Sequence, residues 1–184
     1  MRLAREERKI PAMDPLLVAQ RLPRVAERAM RAAILTTLRE GRLTPRAVVD
    51  RALVQFERAA ARLGTVRPAL LFAERDRIAR ELRSFVDGRL AARLRAQPRG
   101  ALRVGADAAP FGLLVRGRRG TYAVVLRRLP HGGSRLGILQ RICAVQSAMK
   151  TPVDGVLIYD FSRGTTLRLH QTGAQRVDRY LRAS

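Results

Sequence analysis

The sequence of 184 residues is short of several residue types, and each shortage excludes a class of protein. Its single cysteine, Cys143, cannot form an internal disulfide or a cysteine-based zinc site. Tryptophan is absent and aromatic residues make up only 4%, so the core must be built from Leu, Val, Ala and Ile. No run of eighteen residues lacks a charge, and the charged segment "MRLAREERKI" has no apolar stretch typical of a signal peptide. We therefore expect a cytoplasmic protein without a membrane span.

Acidic residues are also few, and the resulting charge is the strongest signal in the composition. The chain has 37 Lys and Arg against 15 Asp and Glu, a formal net charge of +22, and every basic residue except Lys9 and Lys150 is arginine. Such a charge repels itself, and the phosphates of a polyanion relieve that cost. We therefore expect nucleic acid as the first partner and an acidic protein as the second. No segment pairs a basic face with a strongly aromatic one, so no membrane partner is expected.

Apolar residues at helical spacing mark the first half of the chain. After a flexible stretch over residues 1–14, the pattern predicts a helical region over 15–97. Its three helices are expected over 15–40, from Pro45 to shortly before Gly64, and over 68–97, and Pro23 is expected to break or kink the first. Thr44 is predicted as the N-cap of the second helix, with Pro45 at its first helical position and Gly64 as its terminator.

The pattern changes near residue 98, and residues 98–184 are predicted to form an α/β core. Short apolar runs bounded by Gly, Pro and Ser indicate strands, and two longer segments with helical spacing indicate helices. We expect strands over 101–107, 111–116, 121–128, 153–161 and 165–170, with helices over 135–149 and 174–183. The fold class is therefore α/β, with a helical N-terminal half that we expect to pack with the core as one domain.

Residues 111–128, "FGLLVRGRRGTYAVVLRR", are predicted to form a hairpin that carries no acidic residue. The hairpin follows the long helical segment "ERDRIARELRSFVDGRLAARL" and precedes "LQRICAVQ" and "TPVDGVLIYDF". In this order, the segments resemble the PD-(D/E)XK nuclease superfamily, and most of all the RecB-like exonuclease domains of helicase-nuclease chains. The resemblance covers most of the chain and implies a restriction-endonuclease-like mixed sheet flanked by helices.

The same resemblance implies which positions should carry the chemistry. In the family, an Asp on the first hairpin strand and an Asp/Glu-x-Lys on the second hold divalent metal and position the attacking water. The family spacing places Gly112, Val125 and Arg127 at these positions, and a shifted alignment places Arg118 or Arg119 at the Asp position. Neither alignment supplies a metal-binding carboxylate. We therefore expect no catalytic residues, no metal and no cofactor, and a protein that binds nucleic acid without cleaving it.

Arginines around the hairpin are the candidate binding residues. Guanidinium groups on a short turn face solvent or a partner, and each can contact a phosphate through two parallel hydrogen bonds. No aromatic residues interleave with them, so contact with a duplex backbone is favoured over stacking on single-stranded bases. The predicted nucleic-acid-binding residues are Arg116, Arg118, Arg119, Arg127, Arg128, Arg135, Gln140 and Arg141.

Two other interpretations stay open at this point. The first is an active nuclease whose acids have moved, with Asp107, Asp154 or Asp160 and the helix acids Glu74, Asp76, Glu81 and Asp87 as candidates and Mg²⁺ as cofactor. The second is a basic module that binds an acidic protein. The resemblance itself favours an architectural subunit of a helicase-nuclease or other DNA-processing assembly. Asp76 is expected to pair with Arg80, four residues later on the same helix.

Overall fold

A computed structural model describes residues 15–97, 102–104, 112–117, 120–128 and 154–170 of the protein. The fold of these residues is α/β, with an N-terminal half of four helices followed by a mixed sheet of five strands. The helices are α1 (Pro15–Arg39), α2 (Pro45–Ala61), α3 (Pro68–Asp87) and α4 (Arg89–Arg95). None of these described helices has the length and apolarity that a bilayer crossing requires.

The second helix begins where its sequence predicts. The Thr44 hydroxyl oxygen accepts a hydrogen bond from the backbone N–H of Ala47 at 3.3 Å, and Pro45 occupies the first helical position. This cap satisfies one of the N–H groups that a helix N-terminus leaves unpaired. After the helix, Gly64 has a φ of 91°, a left-handed conformation that glycine adopts without steric cost. The predicted N-cap and first helical position are confirmed.

Two predictions about the other helices are wrong. The segment 68–97 is two helices, because Gly88 is extended, with φ −79° and ψ 161°. A Cβ at Gly88 would lie 3.1 Å from the carbonyl oxygens of both Ser84 and Phe85, so a larger residue would be crowded by the last turn of α3. Conversely, α1 continues through Pro23 as one helix of 25 residues, so the predicted break there is wrong, whereas a kink stays a prediction.

The sheet runs in chain order from β1 at one edge to β5 at the other. Neighbouring strands are antiparallel except β3 and β4, which are parallel. The strands are β1 (Leu102–Val104), β2 (Leu113–Gly117), β3 (Gly120–Arg127), β4 (Gly155–Asp160) and β5 (Thr165–His170). The first strand lies within its predicted range, whose other residues are outside the described part of the chain. The helices expected over 135–149 and 174–183 lie outside the described residues and stay predictions.

The helices and one face of the sheet share a hydrophobic core. Val124 and Leu126 of β3, with Tyr159 at the end of β4, belong to the same buried cluster as the apolar faces of α1 to α4. The Phe85 ring of α3 meets the Tyr159 ring edge to face, with centroids 4.9 Å apart. The opposite face of the sheet is buried as well, at Val156 and Ile158 among others. The helical half therefore positions one face of the hairpin strands.

Candidate nucleic-acid interface

The hairpin brings the three family positions together at one end of the sheet. Its register pairs Leu114 with Ala123, so Gly112, two residues before Leu114, stands level with Val125, two residues after Ala123. Gly112 has a φ of 79°, and a Cβ there would lie 3.2 Å from Cδ1 of Leu35 on α1. An acidic side chain at this position would be strained by its backbone and crowded by α1. The local backbone thus suits glycine and disfavours a metal-binding carboxylate.

Arg127 ends β3 beside a carboxylate on each of two neighbouring elements. Its Nε lies 4.0 Å from Oε1 of Glu27 on α1, and in the parallel register it pairs with Asp160 at the end of β4. The Arg127 side chain is 37% exposed, so its guanidinium stays near solvent. This arrangement leaves Arg127 able to contact a phosphate, although Glu27 lies at the limit of an ion pair and competes weakly.

Asp160 is 1% exposed and holds the turn after β4. Its Oδ1 accepts hydrogen bonds from the backbone N–H and the hydroxyl of Ser162, at 3.0 and 2.7 Å. Its Oδ2 lies 3.8 Å from Nε of Arg163. These contacts give the carboxylate a structural role in the turn that leads into β5.

Arg128 lies inside the protein, which the sequence did not indicate. Its side chain is 12% exposed, with Nε 2.8 Å from Glu81 and Nη1 3.6 Å from Glu74, both on α3. On the α1 side, its Nη1 stands 3.5 Å from the Pro23 carbonyl oxygen, and its backbone N–H donates to Glu27 at 3.4 Å. Arg128 therefore joins α1, α3 and the end of β3. Its guanidinium serves these internal contacts and does not form part of the exposed surface. Successive strand residues face opposite ways, and this alternation could have separated Arg128 from Arg127.

The remaining predicted binding residues divide into one described arginine and five residues that are not described. Arg116 is exposed near the tip of the hairpin, where it pairs with Thr121. Arg127 lies six residues after Thr121 along β3, so Arg116 and Arg127 are about 20 Å apart, at opposite ends of the hairpin. The structure does not bring these two arginines into one patch. Arg118, Arg119, Arg135, Gln140 and Arg141 lie outside the described residues and stay predictions.

The candidate acids of a relocated nuclease site form no metal-binding group among the described residues. Asp154 lies at the start of β4, where its Oδ2 accepts the Thr121 N–H at 2.6 Å and its own N–H donates to the Thr121 carbonyl oxygen at 2.8 Å. Asp160 ends the same strand, about 20 Å away. Across the described part of the chain, no group of three or more His, Cys, Asp and Glu residues is placed to hold a metal ion. Asp107 lies outside that part.

Arginines neutralise most of the helix acids instead. Glu74 pairs with Arg77 and Arg128, and Glu81 with Arg128. Asp76 pairs with Arg80, as its spacing predicts. Where a two-metal enzyme joins its carboxylates through a cation, this protein joins Glu74 and Glu81 through one guanidinium. The arrangement links α1, α3 and the end of β3, and it pairs both carboxylates with arginine.

Tyr159 lies close to the same acids. Burial raises the pKa of its hydroxyl, the Glu81 and Asp160 carboxylates raise it further, and the Ser84 side chain opposes the rise. The phenol therefore keeps its proton under ordinary conditions.

Sequence reasoning missed a run of exposed arginines on α1. Arg21, Arg24, Arg28 and Arg31 are all exposed, and they follow one another at intervals of three, four and three residues. This spacing places them on one side of a helix. The spacing of these four arginines at three- and four-residue intervals is the signal in the sequence that identifies such a row.

Comparison with protein-family models, with curated proteins and with solved structures found no match to this chain. The likeness to PD-(D/E)XK nucleases therefore depends on the quoted segments and the order of their elements.

Proposed function

We propose that the protein is a nuclease-like domain that binds the phosphate backbone of double-stranded DNA and does not cleave it. The observation that carries the proposal is the hairpin end itself. Gly112 has a left-handed backbone, Val125 is apolar and Arg127 is a cation, so these three positions offer no carboxylate to a metal. Arginine cannot lose its proton at neutral pH, but its planar fork binds phosphate well.

The charge of the chain supports binding rather than chemistry. A net charge of +22 on 184 residues favours a polyanionic partner, and phosphate contacts made by arginine are largely independent of base sequence. By the resemblance, such a domain serves as an architectural subunit of a helicase-nuclease or other DNA-processing assembly. We therefore propose double-stranded DNA and a protein of that assembly as partners, with no metal or other cofactor.

Fluorescence polarisation with a labelled duplex, at a series of salt concentrations, tests this proposal. We expect the logarithm of the association constant to fall linearly with the logarithm of salt concentration, with a slope of about −0.9 per phosphate neutralised. Addition of Mg²⁺ should weaken binding only as added salt does and should generate no shorter DNA. A flat salt dependence, or no binding at low salt, would contradict the proposal.

An acidic protein partner is the second candidate, because apolar side chains are exposed near the start of α3. Phe72 is 74% exposed and Leu70 is 38% exposed, with the exposed Arg67 before them. Phosphate binding has no use for these apolar groups, whereas aromatic residues are frequent anchors of protein interfaces. Under this candidate, duplex binding is absent at physiological salt. Phe72→Asp then abolishes capture of the partner and leaves the residual low-salt binding of DNA unchanged.

A further inference from the structure

One face of α1 carries a row of arginines at regular intervals. Arg21, Arg24, Arg28 and Arg31, which we name the arginine face of α1, are all exposed. A turn of 3.6 residues puts them within an arc of about 80°, and a rise of 1.5 Å per residue spreads them over about 15 Å. The opposite side of the helix is buried in the core, at Val18, Leu22, Ala26 and Met30 among others.

Contacts within the described residues do not explain three of these four arginines. Arg24, Arg28 and Arg31 make no ion pair with any residue that the structure describes. Like charges three or four residues apart on a helix repel each other, by about 0.2–0.5 kcal/mol per pair. The helix macrodipole offers no compensation, because cations gain from it only in the last turn and these lie in the first two thirds of α1. The row therefore destabilises the isolated fold.

The arginine face adjoins Arg127. Glu27 lies three residues after Arg24 and four before Arg31, so its Cβ is within about 5–6 Å of theirs on the helix surface. The Glu27 carboxylate accepts the Arg128 backbone N–H and lies 4.0 Å from Nε of Arg127. The exposed guanidinium at the end of β3 and the row on α1 thus belong to one basic surface, with one acid between them. Arg116, at the far end of the hairpin, lies outside it.

We infer that the arginine face of α1, together with Arg127, is the surface that binds the phosphate backbone of a nucleic-acid duplex. The inference rests on the proposed function and deepens it by moving the main contact from the hairpin tip to a helix. A duplex carries one charge per about 1.7 Å of its axis, so Arg24, Arg28 and Arg31, spread over about 10 Å of the helix, can each find a phosphate.

The chemistry of the face favours a duplex over the alternatives. The segment from residue 15 to residue 39 contains no aromatic residue, so it offers no platform on which unpaired bases could stack. Between Arg21 and Arg31, the described surface exposes no large apolar side chain that could anchor an acidic protein. The exposed Leu17 lies one turn before Arg21, and the guanidinium groups that follow it suit a phosphate backbone, a contact that would be independent of base sequence.

The test compares two triple variants that lose the same charge. The first is Arg24→Gln, Arg28→Gln and Arg31→Gln on the arginine face. The matched control is Arg62→Gln, Arg83→Gln and Arg93→Gln, three exposed arginines of other segments that also make no described ion pair. Each variant is titrated with a fluorescein-labelled duplex of about 20 base pairs over a range of salt concentrations. Circular dichroism checks that both retain the helical content of the parent.

We expect the α1 triple to lose about tenfold to a hundredfold in affinity near 100 mM salt and its log–log salt slope to become less steep by about 2 to 3. The control triple should stay within about threefold of the parent. Equal losses in both triples, or an α1 triple that binds like the parent, would overturn the inference while the proposed function stands. A parent chain that fails to bind duplex at low salt would overturn both. Tighter binding of polyglutamate than of duplex, lost in the α1 triple, would assign the face to an acidic protein and also overturn the inference.

Discussion

The helices α1 and α3 contain arginine at the same density, five in 25 residues and four in 20, yet use it differently. Helix α3 also carries four acids, whereas α1 carries only Glu27. On α3, the pairs of Glu74 with Arg77 and of Asp76 with Arg80 hold arginines to their own helix. On α1, three arginines of the exposed face have no described ion-pair partner. The local supply of acids, more than the number of cations, separates structural arginines from those available to a partner.

The largest effect on the free energy of unfolding should come from removing the ion pairs that Arg128 makes with Glu74 and Glu81 of α3. Replacing Arg128 by Met leaves Glu81 nearly buried with only a 4.0 Å contact to Arg77, while Glu74 keeps its pair with Arg77. We therefore expect unfolding to become easier by about 3 kcal/mol. The matched change Arg127→Met, at a more exposed side chain 4.0 Å from its carboxylate, should cost less than about 1 kcal/mol. Urea denaturation of both variants measures the difference.

A second variant keeps this prediction testable if Arg128→Met does not fold. Adding Glu81→Gln should recover part of the lost stability, because a neutral amide costs less to bury than an unpaired carboxylate. Equal stability of Arg128→Met and the parent would show that the ion pairs of Arg128 do not stabilise the folded protein.

The close packing of α1 against the hairpin can be tested by a substitution at Gly112. Gly112→Ala forces an L side chain into a left-handed backbone, which costs about 1–2 kcal/mol, and also presses its Cβ against Leu35 of α1. Gly41 is the natural control, since its φ is 68° and a Cβ there meets nothing within 4 Å. We expect Gly112→Ala to destabilise the protein more than Gly41→Ala in thermal or urea unfolding. The reverse order would show that α1 does not crowd the hairpin at this point.

The stability of the folded protein should fall at alkaline pH because Tyr159, which packs against α3, loses its proton. Burial and the nearby carboxylates raise the pKa of Tyr159 above the ordinary value of 10.0, so the folded state holds this proton when the unfolded chain has begun to release it. The resulting stability is complete below about pH 10 and falls as pH rises further, through the raised pKa. Tyr159→Phe should flatten this part of the stability–pH curve, measured by urea unfolding between neutral pH and pH 11. An unchanged slope would remove Tyr159 as its cause.

The smallest effects should have opposite signs on the two helices. Arg28→Gln relieves repulsion on α1 and is expected to stabilise the protein by a few tenths of a kcal/mol, about the size of one like-charge pair. Arg80→Gln removes a surface ion pair from α3 and is expected to destabilise it by a similar amount, about 0.3–0.5 kcal/mol. Replicate urea midpoints at low salt resolve such differences, and high salt should abolish both. Changes of the same sign would undo the distinction between the helices.

Local signals predicted the elements well because their causes are local. Thr44 and Pro45 define the start of α2 through their own hydrogen bonding and geometry, and the continuous apolar run of β3 is typical of a strand buried on both faces. Gly88 was missed as a break because its apolar flanks continue the helical pattern on both sides. At Pro23 the opposite error occurred: a break was predicted, but α1 continues through this residue as one helix.

Spatial grouping was harder to predict, because it depends on partners far apart in the chain. Arg127 and Arg128 are adjacent, yet one stays near solvent and the other is buried between α1 and α3, since Glu74 and Glu81 arrive from a distant segment. Arg116 and Arg127 looked like one stripe but stand at opposite ends of an extended hairpin. The α/β class followed from the sequence, whereas the restriction-endonuclease-like assignment is part of the proposal.

The most direct test of the account is to observe binding and cleavage in one sample. An end-labelled DNA duplex is saturated with the protein at low salt, incubated with Mg²⁺ or Mn²⁺, and then separated both under native and under denaturing conditions. We predict a shifted complex on the native gel and full-length strands on the denaturing gel. Shortened strands that vanish when a chelator is added would contradict the account, as would the absence of any complex.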